Sequence, residues 1–395
     1  YTVIYGEYRD SYTFRTAPLP GSRLPFTFAY TSDGRANYGG GERDLHGTNA
    51  YMLKRIGVAC VTREARFLQY TGDLIGGYSS SYDNMMLQYA NWKRAADPFA
   101  CYIPFVVGIG NHESLSIQFR SDDKRVAIDR FPYTTHSTEA VFAANFVNPH
   151  NGPSSEDGSE YDPDPQKEDF PPYDETVFYY TYDNVAMIVL NSAYWYSPGS
   201  SRSRDVGGNL RGYIMDNQLA WLRETLEFLE NDQNIDHVFV TLHGPIFPNA
   251  GYIKGAMWHR GSNEPRPTVA GKPVRKGIIE CRDELLDAIM NHSSKVVATL
   301  TGHEHSYSLL RVSEDMPMYL DDYQGSRLSN VRPFWHITNG AGGAPYYGPE
   351  ETIWQEHLHK FSTQNALVLF HVQGKEIRAE VLNPDTMELI QEFDL

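Results

Sequence analysis

An α/β layered domain is the fold this sequence predicts, on three observations. Short apolar runs alternate with segments of helical period along most of the chain. Hydrophobic residues make up 41% of it, enough for a substantial core. Five polar segments each follow directly on an apolar run, where the strands of an open α/β sheet deliver their loops. With 395 residues there is room for one large domain with additions, or for two.

Residues 1–14 alternate polar and apolar positions, as an exposed strand or hairpin would, and Pro18, Pro20 and Gly21 then mark a linker. Residues 26–31 read as a buried strand ending at Ser32-Asp33-Gly34-Arg35. A helix over 45–62 and a strand over 67–71 follow. The next helix spans 82–96 and is expected to stop at Asp97-Pro98, because proline lacks the helical donor and crowds the preceding turn. Residues 104–109 form another strand. Residues 148–175 interrupt the rhythm with Pro, Gly, Ser and carboxylates and read as an acidic surface insertion. Strands resume at 177–182 and 185–191 around a tight Asp183-Asn184 turn. Leu219, Leu222, Leu226 and Leu229 place a helix over 215–229. Strands at 238–242 and 296–300 flank a helix over 278–290, and 366–395 alternates like sheet again. There is no internal repeat.

The net charge of −16 argues against a nucleic-acid backbone as partner. It also repels anionic substrates, so a phosphate site here needs local positive charge from metal ions or well-placed Arg. No apolar stretch approaches the ~18 residues of a membrane span. Cys60, Cys101 and Cys281 allow at most one disulfide, the alternative being free buried thiols. The sequence begins at Tyr1 without an initiator Met and holds one glycosylation sequon, Asn291-His292-Ser293.

The five polar segments carry the chemistry. They are Asp33 in Ser-Asp-Gly-Arg, Asp73 in Thr-Gly-Asp-Leu, and Gly110-Asn111-His112-Glu113, then His243 in Thr-Leu-His-Gly-Pro, and His303 with His305 in Thr-Gly-His-Glu-His. Singly, each is commonplace: a Gly-Asp is usually a turn, and a His after an apolar strand is usually a satisfied buried residue. Their order and shared context carry the weight. Two carboxylates, an amide oxygen and three imidazoles facing one crevice suit metal ions of intermediate hardness, such as Zn, Fe or Mn.

The ordered set resembles the calcineurin-like metallophosphoesterase superfamily, over about residues 26–395. Within it the chain is most similar to purple acid phosphatases, which share the Asn-His-Glu form, a Phe-x-Phe strand (Phe26, Phe28) after a Pro-rich linker, and a late Gly-Ala-Gly-Gly segment, here Gly340 to Gly343. The resemblance implies a four-layer α/β/β/α sandwich with two mixed sheets over residues 23–395, including the insertion at 148–175. Residues 1–22 would be the last strands of a truncated β-sandwich, similar to fibronectin type III, plus linker. It also implies two metal ions: Asp33, Asp73 and His305 on the first, and Asn111, His243 and His303 on the second, with Asp73 bridging. His112 would not bind metal but would stand beside the substrate as donor or general acid. The implied reaction is hydrolysis of a small phosphate ester by a metal-bound hydroxide, monoester before diester or nucleotide. Secretion is expected from the same resemblance and the missing start.

Two departures stand out. Arg35 occupies a position where the superfamily usually has His and purple acid phosphatases have Gly, and a guanidinium cannot coordinate a cation. It would either grip phosphate oxygens with its planar fork or pair with a nearby carboxylate such as Asp33. Gly76 stands where those enzymes carry an iron-binding Tyr, leaving Tyr78, His46 or water to complete the first site. These departures keep a rival open, a scaffold that has lost catalysis and serves as an extracellular structural or binding protein. Lesser candidates are His259, as an additional substrate-facing histidine, and Glu156, Asp157, Glu160, Asp162, Asp164, Glu168 and Asp169, as calcium ligands or a solvated acidic loop. Tyr194-Trp195-Tyr196 would line a pocket rim or pack beneath a loop.

Overall fold

The computed structural model describes residues 1–36, 44–79, 81–114, 137–168, 170–197, 207–329 and 331–395. It opens with an antiparallel hairpin, β1 (Thr2–Tyr5) and β2 (Tyr8–Ser11), exposed along its length and anchored by Tyr1, whose hydroxyl donates to the Cys101 carbonyl at 2.9 Å. The parallel strands β3 (Phe26–Thr31), β4 (Ala65–Thr71) and β5 (Phe105–Gly108) begin one sheet. A second is built from β6 (Phe178–Tyr182), β7 (Val185–Leu190) and β8 (His237–Leu242). A two-residue pair, β9 (Thr268–Val269) and β10 (Lys272–Pro273), stands apart. The second sheet continues through β11 (Val296–Thr301), β12 (Tyr307–Val312), β13 (Phe334–Asn339) and β14 (Leu358–Ser362). β15 (Leu367–Gln373), β16 (Glu376–Leu382) and β17 (Leu389–Asp394) complete the first. The strand orders are β17-β16-β15-β3-β4-β5 and β14-β12-β13-β11-β8-β7-β6, both mixed.

The two sheets face each other across a core in which Phe28 stacks on Phe67 and Phe370, with ring centroids 5.0 and 4.8 Å apart, and meets Phe239 edge-on. Helices α1 (Ala50–Thr62) and α2 (Tyr82–Ala100) cover the six-stranded sheet, and α4 (Asp216–Asn231) and α5 (Ile278–Asn291) cover the other. The short α3 (Thr138–Ala143) packs beside α2. This is the expected α/β/β/α sandwich. No described helix is long and apolar enough to cross a membrane. All three cysteines are free thiols, Cys60 and Cys281 being buried.

The local differences have physical causes. Helix α1 starts at Ala50, later than expected, because Leu45 and Thr48 close a turn on each other and Asn49 caps the helix, accepting from the Met52 amide at 3.0 Å. Helix α2 runs through Pro98 to Ala100 instead of stopping. Phe99 packs on Gly57 of α1 so closely that a Cβ there would lie 2.3 Å from its ring, and this contact outweighs one lost helical hydrogen bond. Strands β12 to β14 are not marked by the sequence pattern.

The acidic segment 148–175 lies on the surface, yet its inner side is packed. Phe170 and Tyr173 are buried, and Tyr173 stacks on Tyr194 at 4.2 Å. Glu156 is fully buried and accepts the Asn217 and Gln218 amides at the start of α4, at 3.1 and 3.2 Å. The solvated-loop reading therefore fails for Glu156, which caps a helix. Asp169 lies outside the described residues.

Candidate metal centre

Each chemical segment sits just beyond the carboxyl end of a strand: Asp33 after β3, Asp73 after β4, Asn111 after β5, His243 after β8, and His303 and His305 after β11. The first three come from one sheet and the last three from the other, so the centre lies at the end of the sandwich where the carboxyl ends of strands from both sheets converge. Asp33, Asp73 and His303 have left-handed backbone, with φ of 61°, 52° and 69°. Such conformations in non-glycine residues cost energy and persist where surrounding structure imposes them, most often at functional sites. Gly72, with φ of 84°, lets the β4 and β5 loops touch; a Cβ there would lie 2.5 Å from the Gly110 nitrogen.

Two groups of side chains converge closely enough to hold an ion: Asp73 with His243 and His303, and Asp33 with Asp73 and His305. In each, the ligand atoms all lie within 4.8 Å of one another. Both are buried, both contain Asp73, and they are the only such groups among the described residues. The structure thus brings together the expected Asp and His residues and makes Asp73 common to both groups. Asn111 sits beside them with its Oδ1 buried and unpartnered, while its amide donates to the Tyr78 hydroxyl.

Hydrogen bonds orient the donor atoms. His243 Nδ1 lies 2.8 Å from the Thr71 carbonyl, and His305 Nδ1 lies 2.6 Å from that of Pro345. Each Nδ1 therefore carries the proton and each Nε2 turns its lone pair inward, the usual arrangement behind a metal-ligating imidazole. His243 Nε2 stands 3.1 Å from Asp73 Oδ1, and Asp33 Oδ1 stands 3.5 Å from His305 Nε2. Asp33 Oδ1, Asn111 Oδ1 and His243 Nε2 are all buried without a hydrogen-bond partner. Buried acceptors left in this way are costly unless a cation takes up their lone pairs. The residues present therefore fit a bound metal ion. Although burial opposes its charge, His112 and His243 when protonated, together with Arg35, hold the Asp73 carboxyl well below the usual carboxylate range.

Two glutamates of the motifs have a different task. Glu113 accepts the amides of Gly110, Asp73 and Ile75 at 2.8, 2.9 and 3.2 Å, tying the β4 and β5 loops together. Glu304, between the two histidines, accepts the amides of Asn249 and Ala250 at 2.7 and 2.8 Å. Burial pushes both carboxyls up to about 8.

His112 is buried, with Nδ1 on the Gly76 carbonyl and Nε2 3.7 Å from Asp73 Oδ2. Burial lowers it to about 4, so the ring is neutral near neutral pH and presents an Nε2 lone pair. Arg35 reaches the centre, but its carboxylate is Asp73, at 3.5 Å from Nε, rather than Asp33; its Nη2 lies 3.3 Å from His305 Nε2. Neither stand-in for the missing tyrosine joins the Asp33 group. Tyr78 turns to Asn111 and packs on His112 at 4.0 Å, and His46 pairs with Asn84 at 2.9 Å. At Gly76 itself a Cβ would lie 2.7 Å from the Ala36 carbonyl, so no tyrosine fits there.

Arg211 was not legible as a site residue. It follows a glycine-rich stretch, and only the folded chain brings its Nη1 to 3.5 Å from His303 Nε2, with the guanidinium over the rings of Tyr252 (4.8 Å) and Tyr196 (5.5 Å). Burial, aided by the nearby charge of Arg211, lowers His259 to about 4, and its Nε2 is buried and unpartnered. Tyr194 and Trp195 are buried core, and Tyr196 faces Arg211.

Neither a family model nor a curated protein sequence matches the chain. Solved structures do. A purple acid phosphatase from yellow lupin (Lupinus luteus) seeds superposes with a TM-score of 0.61 at 14% identity, covering 97% of this chain and 56% of that one. PhoD gives 0.51 at 14% identity, covering 99% and 72%. GAP50, the anchor in the inner membrane complex of Plasmodium, gives 0.50 at 14% identity, covering 94% and 88%. The chain spans little more than half the length of the lupin protein. At such identity the likeness is one of fold, and the fold of this chain is metallophosphoesterase-like.

Proposed function

We propose that the chain hydrolyses phosphate esters, monoesters in preference to diesters, at a metal centre formed by Asp33, Asp73, Asn111, His243, His303 and His305. The observation that carries this reading is the set of buried, unpartnered lone pairs on Asp33, Asn111 and His243 gathered around the shared Asp73. Zinc, iron or manganese suits that donor set, and when bound supplies the Lewis acidity that polarises a phosphoryl oxygen and acidifies water. Glu113 and Glu304 hold the ligand loops. Arg35 and Arg211 supply the positive charge that a phosphate needs in a chain of net charge −16, one guanidinium beside each group of ligands. His112, held through Nδ1, directs Nε2 to the same cleft and serves the leaving oxygen once it has taken up a proton. The choice of a monoester rests on the resemblance of the ordered motifs to those of purple acid phosphatases.

The rival, a scaffold without catalysis, draws on Arg35 and on a fold shared with the GAP50 anchor. Parallel assays on p-nitrophenyl phosphate and bis-p-nitrophenyl phosphate, with zinc or manganese added and with chelator, separate the two. Hydrolysis that needs metal and favours the monoester is expected. Metal-loaded protein inactive on both esters would favour the scaffold.

A further inference from the structure

We propose that Arg35 fills the first of the two cation positions, so that this chain holds a single metal ion, beside a built-in guanidinium. This rests on the reading of the site as a metal centre. The two sides of Asp73 differ in what their lone pairs face. On the side of His243, Nε2 is buried and unpartnered, and so is the nearby Asn111 Oδ1. On the side of His305, Asp33 Oδ1 is likewise buried and unpartnered, but here Arg35 reaches both Asp73 and His305. Its Nε lies 3.5 Å from Asp73 Oδ2, an ion pair without a hydrogen bond, and its Nη2 donates to the inward lone pair of His305 at 3.3 Å.

The backbone delivers the guanidinium to this place. Arg35 forms a bridge with Thr48, the Ala36 amide donates to Gly47 at 3.1 Å, and the Asn49 amide donates to Gly34 at 2.8 Å. The side chain is only 12% exposed. An ion bound to Asp73 and His305 at ordinary ligand distances of about 2 Å would have to share their lone pairs with a group that stays protonated at any working pH. Two cations confined in one low-dielectric pocket repel strongly. The charge count points the same way. The carboxylates of Asp33 and Asp73, set against one divalent ion and the guanidiniums of Arg35 and Arg211, leave two positive charges; a second divalent ion would leave four. Arg211 is not equivalent to Arg35. It approaches His303 at 3.5 Å but rests on the faces of Tyr252 and Tyr196 rather than on the shared carboxylate.

Manganese(II) provides the test, because elemental analysis counts the ions and electron paramagnetic resonance distinguishes an isolated ion from a coupled pair. Wild-type protein saturated with manganese(II) and freed of excess is expected to hold one ion per chain, with the hyperfine pattern of an isolated ion. Arg35→Ala is expected to hold two and show coupling, and Arg35→Lys to remain at one. Two coupled ions in the wild type would overturn the inference and leave the hydrolase reading standing. No bound ion in the wild type would overturn both. An Arg35→Ala protein that folds and still binds one ion would also overturn it, and the wild-type count decides the matter if that variant does not fold.

Discussion

Two regions of this chain are rich in carboxylates and use them in opposite ways. In the strand-end loops, the acidic groups at the centre belong to aspartates whose short side chains keep oxygens directed at other ligands; Asp33 Oδ1 has no hydrogen-bond partner at all. In the segment 148–175, the oxygens are taken up by backbone amides. Asp157 accepts from the Phe170 amide at 3.1 Å, Asp162 from Gly158 and Asp164 at 2.7 and 2.9 Å, and Glu156 from the start of α4. Among the described residues no group that could hold an ion falls in this segment. The difference teaches that carboxylate density does not make a metal site. Unpartnered lone pairs held in place by an already rigid backbone do.

The largest effect that would break this comparison is on Asp73. Asp73→Asn keeps the volume and removes the shared negative charge, so metal content measured by elemental analysis should fall to trace and ester hydrolysis should disappear. Unchanged metal content would mean that the centre does not depend on the carboxylate common to both groups. A smaller effect is expected at His112, which belongs to neither group. His112→Ala should retain metal while turnover falls by about 10²–10⁴, the usual worth of a positioned acid or base. Loss of metal in that variant would make His112 a ligand.

The smallest effect lies in the other region and concerns stability alone. Glu156→Ala leaves the Asn217 and Gln218 amides and the Tyr173 hydroxyl without their acceptor, a cost of about 1–3 kcal/mol in denaturant unfolding, with metal content unchanged. Burial pushes Glu156 up to about 7, and it pushes Glu139 of α3, which accepts the Trp195 amide at 2.8 Å, up to about 8, both from 4.5. The folded chain therefore keeps these protons at pH values where the unfolded chain has released them. The stability they contribute is complete below pH ~4.5 and is lost as the pH rises through 7 to 8, at up to about 1.4 kcal/mol per pH unit for each group. Glu156→Gln should flatten part of that slope in unfolding curves taken between pH 5 and 8. A slope that survives in full would remove Glu156 from the account.

Much of this was legible residue by residue, and the exceptions share a cause. Asp33, Asp73, His243, His303 and His305 are visible because each follows an apolar run, and the change from strand pattern to polar loop is a local signal. Arg211 has no such run before it, and its proximity to His303 spans 92 positions of sequence. For Arg35 the sequence offers a carboxylate two positions away, Asp33, as one example of an ion-pair partner, yet the β4 loop supplies the pair from Asp73. Pro98 reads as a helix stop until Phe99 is seen against Gly57 of the neighbouring helix. Glu156, one acid among many in the sequence, becomes a helix cap only through contact with residues about 60 positions later.

By itself the sequence determined the layered α/β class, the order of the ligand-bearing loops and the residue types they present. Those follow from local periodicity and from the chemistry of the side chains. Only the tertiary structure decided that loops from two different sheets share Asp73, which lone pairs remain unpartnered, and where the two guanidiniums come to rest. The carboxyl ends of β3, β4 and β5 meet those of β8 and β11 only when the sheets have packed through their aromatic core. No local pattern records that contact.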